Sequence, residues 1–181
     1  VKVDTGMGRL GIKPDEAESF LAHCGKFPAL ELRGLMSHFP RAYEADRSYS
    51  IAQLGRFRRV IEMARSHGIK TVHMANSAAI FSFPDSHFDA VRPGIALYGL
   101  RPSVTYSHPM ARELKPVLEL RTQIVFLKQV AAGVALSYGH AYHTEQPALI
   151  ATLPIGYGDG LTRNLSGKFD VLIHGARCPQ V

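Results

Sequence analysis

The hydrophobic pattern changes once along this 181-residue chain, and that change limits the fold more than any other feature. Before residue 101, strand-like and helix-like stretches alternate. "IKPDEAESFLAHCG" predicts a helix: Pro14 suits its first position, and Asp15 and Glu16 suit the positive end of the dipole. Ala17, Phe20, Leu21 and Cys24 recur at i, i+3, i+4 and i+7, and Gly25 supplies the stop. "RSYSIAQLGRFRRVIEMARSHG" predicts a second helix with Ile51, Leu54, Phe57, Ile61 and Ala64 on its inner face and Gly68 as its cap. "VKVD", "LELRGLMSHF" and "KTVHMANS" read as strands, the third running into a short helix, "SAAIFSF", and "FDAVRPGIALYG" reads as another strand and turn. Such alternation predicts a parallel sheet with helices outside. After residue 101 the period becomes two. In "VLELRTQIVFLKQV", Leu118, Leu120, Ile124 and Phe126 fall on one face and Glu119, Arg121 and Gln123 on the other. "ALIATLPIGYGDG" and "FDVLIHGARCPQV" continue as strands with glycine turns. The expected organisation is an α/β domain over residues 1–104 and an all-β domain over 105–181. The boundary lies in "LRPSVTYSHPMARELKP".

Composition narrows the function classes. With 46% hydrophobic residues the chain can bury a core and is not a disordered segment. The net charge of +6 is scattered rather than striped, and suits either a solvated surface or an anionic small ligand. The densest basic run, "GRFRRV", lies on one helix without a stacking platform, which argues against nucleic acid. Cys24 and Cys178 lie far apart and in no CxxC spacing. That argues against a disulfide framework or metal site and for a reducing, cytoplasmic setting. No stretch is long and apolar enough for a membrane span.

In parallel α/β folds, ligands gather beyond the carboxyl ends of the strands. There the first strand offers Asp4, Thr5 and, after a glycine-rich turn, Arg9. The second ends at Ser37 and His38; the third carries His73 and ends at Asn76 and Ser77; the fourth ends at Arg92, followed by Gly94 and Ile95. Each has an ordinary structural alternative: His38 as a core histidine, Ser77 as a helix N-cap, Arg92 as a buried structural arginine. A serine beside a turn with free amides is also what a phosphate wants.

Seven stretches, in order, resemble the fold-type III alanine racemases, pyridoxal-phosphate (PLP) enzymes: "KVDTGMGRLGI", "GLMSHF", "HMANSAA", "VRPGIALYG", "LKPVLELRTQIVFLKQV", "LSYGHAY" and "LPIGYGDG". The resemblance runs from Val1 to Val181. It implies the second half of a TIM-type (β/α)8 barrel followed by part of an all-β C-terminal domain. About half the barrel, roughly 125 residues at about 250 per barrel, is then expected upstream. The family's Schiff-base lysine is expected there too, since none of Lys2, Lys13, Lys26, Lys70, Lys115, Lys128 and Lys168 matches its motif. The chain alone is expected to be inactive.

The resemblance also implies roles. Tyr138, in "SYG", corresponds to one of two catalytic bases, opposite the lysine. Arg9 corresponds to the arginine that holds the substrate carboxylate and the tyrosine, and Lys2 to a position often carbamylated. Arg92 matches the arginine facing the pyridine nitrogen, and His38 a histidine flanking the ring and bonded to Arg92. Ser77, Gly94 and Ile95 match phosphate contacts, and His73 and Asn76 lie one layer behind. Tyr157, in "GYGDG", matches a substrate-entrance tyrosine that contacts the partner's site. Gly158 stands where many members have Ala, and "HFPRAYEAD" departs from the usual stretch. The implied activity is interconversion of L- and D-alanine, supplying D-alanine for peptidoglycan. It would occur in a homodimer with shared active sites and with no metal. Two alternatives stay open: a racemase for serine, lysine or arginine, and a non-catalytic PLP-carrier barrel. The period-two segment and "SYG" argue against the carrier.

Overall fold

A computed structural model describes Val1–Val181, which divide into two compact units, Val1–Leu118 and Glu119–Val181.

In the first unit the expected alternation is present, with short strands. β1 (Gly34–Met36) and β2 (Thr71–His73) pair in parallel, Leu35 opposite Val72. The segment before them adds a single parallel bridge, Lys2 to Met36, and the one after adds His73 to Ala90. Val3 N–H donates to Met36 O at 2.8 Å and Met36 N–H to Val1 O at 2.9 Å, the slanted bonding of a parallel ladder. The strand expected in "FDAVRPGIALYG" is thus reduced to the Ala90 bridge, and the turn expected after it is present. Asp89 diverts the ladder, its carboxylate accepting the Val72 N–H at 2.8 Å, and Ile95–Tyr98 winds into a 3₁₀ turn.

The helices cover this sheet. After a 3₁₀ turn at Pro14–Glu16, α1 (Ala17–Cys24) buries Ala17, Leu21 and Cys24, while Phe20 stays partly exposed. α2 (Ser48–Ser66) buries Leu54, Phe57 and Ala64 as expected, but its inner face is shifted away from Ile51 and Ile61. It buries Ser50, Gln53, Leu54, Phe57, Val60 and Ala64, and leaves Ile51 57% exposed and Ile61 only partly covered. The shift follows from polar grips that Gln53 makes inward, where the apolar count alone would have put Ile51. α2 ends in a Schellman motif, Gly68 N–H on Arg65 O and Ile69 N–H on Ala64 O, with Ile69 buried. α3 (Ser77–Ser82) follows β2. The core joins Val3, Leu21, Leu35, Phe39, Phe57, Val60, Val72 and Met74. Residues 105–118, beyond the expected 104/105 boundary, pack with this unit. Tyr106 and Ala111 are buried in its core, and the Tyr106 hydroxyl donates to Ala78 O at 3.1 Å.

The second unit is all-β. β3 (Phe126–Val130) pairs antiparallel with β6 (Ala148–Thr152), β4 (Ala135–Leu136) with β5 (Tyr142–His143), and β7 (Asp170–Ile173) with β8 (Ala176–Pro179). His174 and Gly175, at φ 48° and 81°, form the two-residue hairpin turn of β7 and β8. The long period-two strand is shorter than expected. Its ladder begins where Val125 N–H meets Thr152 O at 3.0 Å, so Leu118 and Leu120 keep the alternation without a partner strand. No helix is long and apolar enough to cross a membrane.

Candidate active site

Within the first unit, the carboxyl ends of the parallel segments converge on Arg92. Its Nη2 donates to Ser37 O at 2.8 Å, to His38 Nδ1 at 3.0 Å and to Met74 O at 3.3 Å, and its Nη1 donates to His73 Nδ1. Three strand ends, those of Ser37–His38, His73–Met74 and Arg92 itself, are thus tied by one guanidinium. Because arginine only donates, both Nδ1 atoms must accept, which leaves each imidazole neutral with its proton on Nε2. Burial, followed by the charges of Arg92, Arg9 and Lys2, pushes His38 down to about 4. Burial and Arg92 push His73 down as well. Burial also draws Arg92 below its ordinary value, although a guanidinium stays cationic at any working pH. The His38–Arg92 bond expected from the sequence is present, and His73 joins it as a second acceptor.

Ser77 is not the N-cap of α3. Asn76 is: its Oδ1 accepts the Ala79 N–H at 3.1 Å and its Nδ2 donates to Phe39 O at 2.9 Å. Asn76 can reach the N3 amide from its extended backbone, so the Ser77 side chain is released toward the neighbouring turn. There Ser77 Oγ accepts from Gly94 N–H at 2.9 Å and Ala96 N–H at 3.2 Å. The Gly94 amide is therefore engaged by Ser77. The donors that take part in none of these bonds are the Ser77 hydroxyl hydrogen and the N–H of Ile95, which precedes the first 3₁₀ bond, Leu97 to Gly94 O.

Arg9 sits exposed on the loop after the first segment. The loop is closed at its base by Asp4 N–H to Ile12 O at 2.8 Å and Ile12 N–H to Lys2 O at 3.0 Å. Asp4 organises it from within. Its carboxylate accepts the amides of Gly6, Met7 and Gly8 at 2.8–3.0 Å, and these bonds, Gly8's first, hold its pKa below the ordinary carboxylate value. Lys2 is half-buried beside this base.

Tyr138 and Tyr157 belong to the second unit. Tyr138 is 87% exposed and opens a 3₁₀ turn. Ser137, Gly139 and His140 around it all have positive φ, at 65°, 70° and 51°. Two non-glycine residues in that region make a locally strained turn, a feature that clusters at functional positions. Tyr157 is exposed on the turn Tyr157–Asp159, with the Arg163 guanidinium 5.7 Å from its ring centre.

Sequence reasoning placed Asp4 at the strand end but not as the loop's organiser, and missed three contributors on α2: Tyr49, Gln53 and Arg56. Tyr49 Oη donates to Gly6 O at 2.7 Å, Gln53 Nε2 to Thr5 Oγ1 at 3.4 Å and His38 O at 3.3 Å, and Arg56 Nε to Thr5 O at 2.9 Å. Their i, i+4, i+7 spacing was visible, but the polar residues passed for the solvent face of an amphipathic helix.

The donor set fits an anionic, ring-bearing group. A serine hydroxyl hydrogen and the neighbouring Ile95 amide are free to donate, and a guanidinium backed by two neutral imidazoles keeps one N–H free. Arg92 Nε–H takes part in none of the bonds above.

The family model described as alanine racemase, N-terminal domain, matches residues 1–102, and the one described as alanine racemase, C-terminal domain, matches residues 117–181. An alanine racemase from Desulfovibrio desulfuricans is 46% identical over 100% of this chain, which covers 49% of that relative. The crystal structure of alanine racemase from E. faecalis superposes with a TM-score of 0.85 at 37% identity, over 100% of this chain and 48% of that one. The Bartonella henselae alanine racemase, solved with covalently bound pyridoxal phosphate, gives a TM-score of 0.75 at 35% identity, over 99% of this chain and 48% of that one. The chain belongs to the alanine racemase family, with a TIM-barrel portion followed by a β-domain portion. It spans about half the length of the curated relatives it matches.

Proposed function

We propose that the protein carrying this chain interconverts L- and D-alanine with PLP as cofactor, and that this chain supplies the cofactor cradle and one of two bases. The reading rests on one observation above the others: Arg92 gathers His38, His73 and two backbone carbonyls at the strand ends, so a donor-only cation is fixed there.

Ser77 and the Ile95 amide would hold the phosphate, with Gly94 able to contribute only by sharing its bond to Ser77. PLP, when bound, draws off the negative charge left at the substrate's α-carbon. Arg92 would face the ring nitrogen as a donor and keep a proton off it. By that contact Arg92 would favour return of the proton to the α-carbon over transamination. His38 and His73, held neutral by Arg92, fix that guanidinium without competing for the nitrogen. Asn76 secures the turn from behind. Arg9 would take the substrate carboxylate with its planar fork, and Lys2, carbamylated or not, borders its loop. Tyr138 Oη would receive or return the α-proton on one face, a lysine outside this chain serving the other. Tyr157 would line the substrate's way in. Both tyrosines would serve the partner's cofactor in a homodimer with shared sites. The product, D-alanine, suits peptidoglycan synthesis. A cytoplasmic setting agrees with two free thiols, Cys24 and Cys178.

The test is the full-length protein, loaded with PLP and given L-alanine in deuterated water. Deuterium should enter the α-carbon while optical rotation decays to zero. In Arg92→Glu, racemisation should slow and transamination should rise relative to it. No exchange at the α-carbon, preference for serine, lysine or arginine, or an Arg92→Glu enzyme with unchanged rates and products would contradict the reading.

A further inference from the structure

Resting on the reading that Arg9 meets the substrate carboxylate, we propose that Tyr49, Gln53 and Arg56 are positioning residues. They form one polar stripe of α2 that sets the Arg9 loop against the strand-end cluster.

The three lie at i, i+4 and i+7, so they share one face of the helix. Each reaches a different atom of the same short stretch: Tyr49 the Gly6 carbonyl, Gln53 the Thr5 hydroxyl, Arg56 the Thr5 carbonyl. Gln53 also holds the His38 carbonyl, so a single side chain ties the first strand end to the second. The hydroxyls carry the link further: Thr5 Oγ1 lies 2.7 Å from Ser37 Oγ, which donates to Val3 O at 2.9 Å. The donors therefore run in one order, Gln53 to Thr5 to Ser37 to Val3.

Stability alone does not account for this face. Gln53 is fully buried, yet its Oε1 has no partner, and neither does the buried hydroxyl of Ser50 one turn earlier. Unpartnered buried polar atoms destabilise a fold, and an apolar side chain would serve packing better. What Gln53 provides instead is the amide nitrogen on Thr5 and His38. The approach is also close. A Cβ at Gly6, whose φ is +137°, would lie 2.6 Å from the Tyr49 hydroxyl, so the loop's first glycine is fitted to this helix. From Gly6 the chain passes through the amides bound by Asp4 and reaches Arg9 within three residues. Restraint at Thr5 and Gly6 thus limits where Arg9 can stand.

The experiment uses the full-length protein with Tyr49→Phe, Arg56→Gln and, as a control on the same helix, the exposed Ile51→Ala. Two readouts are needed: amide hydrogen exchange at Gly6, Met7 and Gly8, and steady-state kinetics with alanine. One lost hydrogen bond is worth roughly a fivefold to tenfold change in a local equilibrium. Tyr49→Phe and Arg56→Gln should therefore speed exchange in the loop by about that factor, and raise KM similarly while kcat changes less. Ile51→Ala should alter neither. In an Arg9→Ala background, Tyr49→Phe should still speed exchange but add no further rise in KM, because the stripe acts through Arg9. Unchanged exchange in Tyr49→Phe, or a KM effect that persists undiminished without Arg9, would overturn the proposal. If the unaltered protein does not turn over alanine, the functional reading fails, and the exchange data still decide whether the stripe sets the loop.

Discussion

The two units differ in how they hold their functional side chains. In the first, Val3, Leu35, Phe57, Val72 and Met74 are fully or almost fully buried, and the polar cluster stands directly on the strands they anchor. His38 and Arg92 are held by groups that cannot move without disturbing that core. In the second, within this chain, which spans about half the length of its relatives, Leu136 and Thr144 are buried, and the ladders are two-stranded pairs that leave apolar residues such as Leu149 and Leu172 uncovered by the rest of the chain. Tyr138 and Tyr157 are presented on turns. One region fixes a constellation by burial. The other fixes a single side chain by local backbone geometry, with Thr144 bracing the neighbouring turn through Ala131 O at 2.6 Å and the Val134 N–H at 2.9 Å. On the proposed function, the cofactor cradle calls for the first kind of rigidity, and a base presented on a turn is compatible with the second.

The largest effect that sharpens this contrast is on stability. Phe57→Ala should lower unfolding free energy by about 3–5 kcal/mol, as for a fully buried aromatic. Leu172→Ala, at a site 66% exposed, should stay within about 0.5 kcal/mol. Denaturant titration of both variants checks this, and similar losses would erase the distinction between the units.

A smaller effect concerns acid. The folded pKa of His38, about 4, lies below its unfolded value near 6.5. Below pH 6.5 the unfolded chain binds a proton that the folded chain refuses, so stability should fall as pH drops from about 6.5 to 4 and this contribution should then level off. Above 6.5 His38 contributes nothing to the slope. His73 adds in the same direction. His38→Asn should flatten the dependence in that window. An unchanged slope in the variant, or an imidazole signal that titrates at its ordinary value, would mean that the cluster is more open to water than its hydrogen bonds imply.

The sequence made the fold class readable because period and punctuation are local. Pro14, Asp15 and Gly25 mark α1, and the period-two run marks the change to β structure. What was not readable depended on partners distant in the chain. Ile51 looked like core, yet α2 turns Gln53 inward because Thr5 and His38 lie beneath it. Ser77 looked like a cap, yet Asn76 caps and Ser77 holds the Gly94 turn. Leu118 and Leu120 kept a strand's alternation without a strand to pair with. The strand-end residues were legible as a group because a parallel sheet sends its carboxyl ends to one side. That Arg92 would link His73 as well as His38 was not, since either histidine alone would satisfy the pattern.

The central claim is that the first unit holds the cofactor and the second supplies a base. The direct measurement compares Ser77→Ala and Tyr138→Phe in the full-length protein, recording PLP affinity and alanine racemisation side by side. Ser77→Ala should weaken PLP binding by roughly tenfold or more, the worth of a hydrogen bond to a charged group, and keep turnover near normal once saturated. Tyr138→Phe should bind PLP as the unaltered protein does, and lose about a hundred- to ten-thousand-fold in rate in both directions. Full turnover in Tyr138→Phe, or loss of PLP affinity there with none in Ser77→Ala, would contradict that division of labour.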